Sequence, residues 1–318
     1  MGKVVVMGSY IYDISATMPH FPVPGETVMG YSCKTGPGGK GSNQAVAAHQ
    51  AGAEVTMITK MGKDDFAAAM KTLYNRIGMS TKYCYETDEA ETGAAPILVE
   101  KESGQNSICV VLGANALLTP EEVAAAEEEI KSADVLLTQF ETNKPAVEEF
   151  LRLGRKYGKT IIINPAPVNP EMTDDLYEGV DYVTPNETEA AALAGMPVVD
   201  TLDDAREAAR RIMKKGAKAV LLTLGSKGSF LYNGETEHHV MPIKVKAVDT
   251  TGAGDAFNGG FACAKSFGLD DLKAMQFATC VAGLEVTKPG TSPRCSAFTG
   301  TTYRSERVVI IGSCNALA

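Results

Sequence analysis

None of the seven cysteines (Cys33, Cys84, Cys109, Cys263, Cys280, Cys295 and Cys314) stands two residues from another in a C-x-x-C pair, and their number is odd. Free or buried thiols in a reducing compartment are the expected state. The four histidines, His20, His49, His238 and His239, form no H-E-x-x-H set, so a catalytic zinc site is not expected. No G-x-S-x-G elbow occurs. Apolar runs are short, and none approaches the roughly eighteen residues of a membrane span. The opening MGKVVVMGS is too short for a signal peptide, and Val6 stands where a myristoylation signal needs Ser or Thr. Basic residues are scarce: 30 Lys and Arg face 39 Asp and Glu, for a net charge of -9. That excludes a broad nucleic-acid surface, and any phosphate must be held by a local site. Repeats, low-complexity tracts and long linkers are also missing. The expectation is a cytoplasmic chain with neither membrane nor nucleic acid as partner.

What is present is a chain of 318 residues, 44% of them hydrophobic. Such a chain can bury roughly three quarters of its unfolded surface. KVVVM (3–7), EVTMIT (54–59), VLLTQF (135–140), TIIIN (160–164), YVTPN (182–186) and AVLLTLG (219–225) read as strands. Between them, 41–51, 65–78, 145–158, 187–195 and 203–216 read as helices, several stopped by glycine. Continuous apolar strands alternating with amphipathic helices predict an α/β fold, with a mostly parallel sheet covered on both faces. Ligands then bind beyond the carboxyl ends of the strands. Segments 13–37 and 92–112 break the pattern, and 93–113 reads as a hairpin turning at Glu102–Gln105. They predict a small sheet projecting from the main body.

Two glycine clusters carry the chemistry. DTTGAGDAFNGG (249–260) follows the strand-like HHVMPIKVKAV (238–248) and leads into a helix. Gly252, Ala253 and Gly254 would expose unpaired N–H groups at a helix N-terminus, where an anion binds. An acid beside a phosphate repels it, so Asp255 there suits a base that takes a proton from an attacking hydroxyl. The competing reading is a favourable first-turn acid. GPGGKGSNQA (36–45) matches G-x-G-x-x-G at Gly36, Gly38 and Gly41. It does not follow the first strand, and Lys40 is followed by Gly41, so it is no Walker motif. A backbone cradle for a polyhydroxylated ligand, with Lys40 and Asn43 as donors, competes with a plain turn. QFE (139–141), PNETE (185–189) and TLGSKG (223–228) all fall at strand ends. Glu141, Asn186 and Glu189 could contact substrate, phosphate or metal-bound water. Asn186 and Glu189 could equally form an N-cap and its capping-box partner.

With GPGGKGSNQA and DTTGAGDAFNGG at this separation, the chain resembles the PfkB family of sugar kinases, ribokinase-like members most closely. GANALLTPEEV (113–123), NPAP (164–167), PNETE and TLGSKG are similar to that family too, and the likeness runs from about 3 to 292. The resemblance implies a three-layer sandwich in one domain over 1–318, with the segments near 13–37 and 92–112 as a β-sheet lid. It implies ATP-dependent phosphorylation of a sugar's primary hydroxyl. Asp255 would be the base, with Gly252, Ala253 and Gly254 as anion hole. Asp13, Gly39, Lys40, Gly41, Asn43 and Glu141 would bind the sugar. Asn186, Thr223, Leu224, Gly225, Ser226, Lys227, Gly228, Gly254 and Thr279 would serve ATP. Glu189 would hold the water shell of Mg2+, and Asp249, Thr251 and Gly290 a K+ ion. A homodimer through the lid is implied as well.

Two stretches depart from the family. Its first strand runs into G-S-x-N-x-D, whereas this chain has GSYIYD, with Ile11 at the Asn position and Asp13 kept. Isoleucine cannot hydrogen-bond a hydroxyl. The expected sugar therefore lacks, or turns away, one hydroxyl that ribose presents; 2-deoxyribose fits, and Tyr10 or Tyr12 could compensate instead. Residues 294–318 resemble nothing in the family, and Arg294 replaces the usual Ser of the potassium loop. A divergent end or a shifted reading frame would each produce such a tail. The alternatives are a nucleoside or hexose kinase of the same family and a catalytically silent sugar-binding protein. A nicotinamide dehydrogenase would rest on the single G-x-G-x-x-G match.

Overall fold

The structure, a computed structural model, describes residues 2–287. Gly290, Arg294 and the 294–318 tail lie outside the described residues. The strand Lys3–Met7 shows how the layers arise. Val4 and Val6 enter one hydrophobic cluster, and Val5 and Met7 enter the other. Side chains alternate across a strand, so a continuously apolar run supplies two cores at once.

Among these residues the larger sheet has nine strands. Their order is Glu237–Val240, Ser229–Tyr232, Ala219–Thr223, Tyr182–Val183, Thr160–Asn164, Val135–Gln139, Lys3–Met7, Glu54–Gly62, Ser80–Thr87. Every pairing from Ala219–Thr223 to Ser80–Thr87 is parallel. The two pairings at the other end are antiparallel. One face is covered by helices that include Lys40–Gln50, Ala253–Ser266 and Asp271–Glu285, through Val46, Phe257, Phe261 and Met275. The opposite face is covered by helices that include Lys144–Lys156 and Leu202–Met213, through Phe150, Leu151 and Ile212. The result is the three-layer α/β arrangement that the strand and helix pattern predicts.

A second sheet has the order Ser32–Gly38, Ile11–Met18, Thr92–Glu100, Asn106–Ile108, with Val111–Gly113 also pairing to Thr92–Glu100. Thr92–Glu100 and Asn106–Ile108 make the expected hairpin. Its turn is closed by Gly104 N–H to Glu100 O and Glu100 N–H to Gln105 O, both 2.9 Å.

One expected strand is mostly absent. Of 238–248, only the stretch within Glu237–Val240 is strand, and 241–248 has no regular structure. Pro242 lacks the N–H a ladder needs. The chain is tied instead by the N–H groups of Val248 and Asp249, both to Val286 O at 2.7 and 3.2 Å. The glycine turn at 252 therefore follows a loop rather than a strand.

Candidate active site

The first glycine cluster brings a helix start against the end of the first strand. Gly39 has φ 85°, and a Cβ there would lie 2.5 Å from Ile11 N. Only glycine permits both the backbone angle and the approach. The helix Lys40–Gln50 begins at once. Lys40 N–H donates to Glu141 Oε2 at 2.9 Å, and the same oxygen accepts Ser9 Oγ–H at 2.6 Å. Lys40 Nζ lies 3.9 Å from Glu141 Oε1. Glu141 is 5% exposed, just past the strand Val135–Gln139. Burial pushes its carboxyl above the ordinary value, against the pull of Lys40 and Ser9. Burial alone would lower Lys40, but Asp255, Glu141, Glu189 and Asp13 together outweigh it and hold the ammonium above its usual value. One cation thus feels four carboxylates from four parts of the chain.

Asp13 lies in the small sheet, opposite Gly36 across the strand pair. Its carboxylate packs over Gly38, where a Cβ would fall 2.3 Å from Oδ2. Ile11, two residues earlier, shares that face by strand alternation. It is 2% exposed and stands outside both hydrophobic clusters. Neither nearby tyrosine turns its hydroxyl to this position. Tyr10 donates to Phe66 O at 2.9 Å, and Tyr12 donates to Thr35 Oγ1 at 3.3 Å while stacking on Phe66.

The second cluster supplies the opposing wall. Gly252, with φ 82°, is the N-cap of the helix Ala253–Ser266. Ala253 N–H turns back to Thr250 O at 3.2 Å. The next N–H groups have no carbonyl of their own helix to bond. Asp255 sits in this first turn. Its Oδ2 accepts Asn43 Nδ2–H at 3.1 Å, and its Oδ1 accepts Gln44 Nε2–H at 3.0 Å. Asp255, Gly252, Gly254 and Lys40 line one cavity with Asn186, Glu189 and Thr223.

Asn186 and Glu189 form the capping box of the helix Glu187–Ala194, with both reciprocal bonds at 2.9 Å. They line the cavity nonetheless, so the two readings of this pair are compatible. Burial raises Glu189 above its ordinary value, against the Asn186 N–H and Lys40. Thr223 bridges to Asn186 across adjacent strand ends. Beyond it, Gly225–Lys227 form a tight turn with Gly225 and Gly228 both at positive φ. Leu224 is buried, Ser226 is exposed, and Lys227 directs its ammonium to the carboxylate and carbonyl of Asp200. Thr279 is buried, and its hydroxyl donates to Met275 O at 2.8 Å within its own helix. Of the stretch 223–228 only Thr223 lines the cavity, and Thr279 does not.

The donor set suits magnesium carried on phosphates. Mg2+ is usually held by one or two carboxylates plus phosphate oxygens and water. Among the described residues no three His, Cys, Asp or Glu side chains are grouped to ligate a metal by themselves, whereas Glu189 and Asp255 face one cavity. For a monovalent cation, Asp249 and Thr251 stand together, with Thr251 N–H donating to Asp249 Oδ1 at 3.0 Å. Gly290 lies outside the described residues.

Sequence reasoning missed Ser9, Gln44, Asn164 and Asn258. Ser9 anchors Glu141, and Gln44 touches Asp255. Asn164 and Asn258 line the cavity, and Asn258 Nδ2–H donates to Gly254 O at 2.9 Å. The available signal was polarity out of place: Gln44 follows Asn43 inside a run of small helix formers whose residues 41–48 are all buried.

A carboxylate at a helix N-terminus shares this cavity with a lysine and a second acid, an arrangement that suits phosphoryl transfer to an alcohol. The model of the pfkB family of carbohydrate kinases matches residues 1–297, and the chain belongs to that family. It is 38% identical over 288 residues to a deoxyribokinase of Salmonella typhi, covering 91% of this chain and 94% of that one. It is also 38% identical over 291 residues to a ribokinase of Haemophilus influenzae, covering 90% and 93%. Its structure is similar to that of Arabidopsis thaliana ribokinase complexed with ribose and ATP. The TM-score is 0.84 at 30% identity, over 92% of this chain and 95% of that one.

Proposed function

We propose that the protein transfers the γ-phosphoryl group of ATP to the primary hydroxyl, O5, of ribose or 2-deoxyribose. The observation that carries this reading is the place of Asp255. It stands in the first turn of a helix, bonded to Asn43 of the sugar-side cluster, on a cavity shared with Asn186 and Thr223. Asp13, Asn43, Lys40 and Glu141, with the backbone at Gly39 and Gly41, hold the sugar so that its CH2OH meets Asp255. Asp255 takes the hydroxyl proton as the oxygen attacks the γ-phosphorus. The bond to the β–γ bridging oxygen breaks, and ADP leaves. The N–H groups of Gly252 and Gly254 donate to the charge spread over the moving phosphoryl group. Asn186 and the turn at 223–228 seat the nucleotide, with Thr279 as a further contact.

Magnesium held through Glu189 would offset phosphate charge, and potassium held by Asp249, the Thr251 carbonyl and Gly290 would stiffen the turn before the anion hole. The small sheet acts as a lid that keeps water from the phosphoryl group. Exposed Ile108 and Val111 on its strands, with Met29 and Tyr31 on the loop before Ser32–Gly38, support pairing with a second copy of the chain. Five cysteines free of disulfides, Cys33, Cys84, Cys109, Cys263 and Cys280, support a cytoplasmic setting. No helix of the described residues is long and apolar enough to cross a membrane.

Ile11 narrows the sugar. A hydroxyl buried against it without a partner loses about 1–3 kcal/mol. 2-Deoxyribose should therefore be used at least as well as ribose. The test is ADP release from ATP with ribose, 2-deoxyribose, fructose and nucleosides, with and without potassium. A strong preference for ribose defeats the deoxy assignment, and turnover of neither pentose defeats the pentose-kinase reading.

A further inference from the structure

We propose that Gln44 is a positioning residue for Asp255, locked in one orientation by a buried chain of amides. The inference rests on the reading of Asp255 as the base. Gln44, Gln139 and Asn164 are all buried. Gln44 Nε2 donates to Asp255 Oδ1 and to Asn164 Oδ1, both at 3.0 Å. Gln44 Oε1 accepts from Gln139 Nε2 at 2.6 Å. Asn164 Nδ2 donates to the main-chain carbonyl of Thr184 at 2.8 Å.

The order of donors along this chain is forced from both ends. A main-chain carbonyl only accepts, so Asn164 must turn its NH2 to Thr184 and its oxygen to Gln44. An ionised carboxylate also only accepts, so Gln44 must turn its NH2 to Asp255. Both demands fall on the same NH2 group, which has two hydrogens, and one goes each way. Gln44 Oε1 then faces Gln139, which meets it with N–H. Nothing is left for the oxygen of Gln139, and Oε1 is indeed buried without a hydrogen-bond partner. That orphan acceptor is the cost of the fixed direction: an unpaired buried carbonyl is unfavourable unless something else depends on it. A reversed Gln139 would place two oxygens against each other at Gln44. A reversed Gln44 would place an oxygen against the Asp255 carboxylate.

The consequence lies in the geometry of the base. Asn43 holds Oδ2 and Gln44 holds Oδ1, so the carboxylate cannot rotate about its Cβ–Cγ bond without losing two charge-assisted bonds. Asn43 is also a proposed sugar contact, so its hold would be shared with substrate. Gln44 reaches back into buried amides, and its hold is present before substrate arrives. Gln139 never touches Asp255, yet it decides which end of Gln44 does.

The test uses Gln44→Met, Gln139→Met and the double variant, each confirmed as folded by thermal unfolding. Gln44→Met should lower kcat about ten- to a hundredfold, the worth of a hydrogen bond to a charged group. KM for sugar and ATP should stay within about twofold, because uniform binding is not removed. Gln139→Met should lower kcat in the same direction while KM again holds. The double variant should be no worse than Gln44→Met, because both changes break one chain. If Gln44→Met does not fold, Gln139→Met alone carries the kcat and KM comparison. Wild-type kcat in a folded single variant, or a double-variant loss equal to the product of the single losses, overturns the relay. An active Asp255→Asn variant would instead remove the base reading beneath it, so the two failures are distinguishable.

Discussion

Replacing Gly259 by alanine should loosen the site from a distance. Gly259 lies one helical turn after Asp255, where the helix Ala253–Ser266 crosses the helix Lys40–Gln50. A Cβ there would fall 2.5 Å from Gln44 O, 2.7 Å from Ala47 Cβ and 2.9 Å from Ala48 N. These are main-chain atoms and a Cβ, so no side chain can swing aside. Ordinary contact begins near 3.4 Å, so the helices must part by roughly 0.9 Å at this point. Overpacking of this kind costs about 1–3 kcal/mol. Alanine's better helix propensity returns up to about 1 kcal/mol, so the clash wins and the net loss is about 1–2 kcal/mol. In a chain of 318 residues the melting temperature should fall by about 1.5–3 °C. The same parting acts on Asp255, whose bonds to Asn43 and Gln44 across the crossing are 3.1 and 3.0 Å. Lengthened by most of an ångström, they cease to be hydrogen bonds. Turnover of the folded variant should drop about ten- to a hundredfold. Thermal unfolding and a coupled ADP assay on one preparation decide it. Wild-type kcat together with a lowered melting temperature would show that the crossing does not set the base, and would refute the reasoning.

Two further outcomes follow from the same geometry. Ile11→Asn places an amide on the face shared with Asp13, and should raise the ribose to 2-deoxyribose ratio of kcat/KM roughly five- to a hundredfold; an unchanged ratio contradicts the role given to Ile11. Burial raises Glu141 above the ordinary value of 4.5, so the folded state keeps that proton to higher pH than the unfolded chain. Unfolding free energy should therefore fall as pH rises from 4.5 through the raised value, and level off above it. Glu141→Gln lacks this titration, so the wild-type minus variant difference should decline across that window in denaturant titrations; a difference that grows with pH contradicts it.

The sheet and its helices were largely legible because their signals are local. TIIIN became the strand Thr160–Asn164, and the helix expected at 65–78 ended at Gly78 in the left-handed conformation. The stretch 238–248 misled because Val and Ile alternate with Lys as in a strand, while Pro242 and the pull of Val286 O override that pattern. The site was legible where glycine marks it. The amide chain was not, because Gln44, Gln139, Asn164 and Thr184 come from one helix, two strand ends and the loop after a third strand. Their hydrogen bonds exist only after the sheet has aligned those ends. Lys227 carries the opposite lesson. It sits in a turn that sequence assigns to nucleotide, yet its charge is taken by Asp200, far away in the chain.

The most direct measurement is the turnover of Asp255→Asn with ATP and the better of the two pentoses, beside nucleotide binding by the same variant. The account predicts a fall in kcat of roughly 10²–10⁴-fold with ATP affinity kept, because only proton removal is lost. Turnover within a few-fold of wild type would show that the sugar hydroxyl loses its proton elsewhere, and would contradict the account at its base.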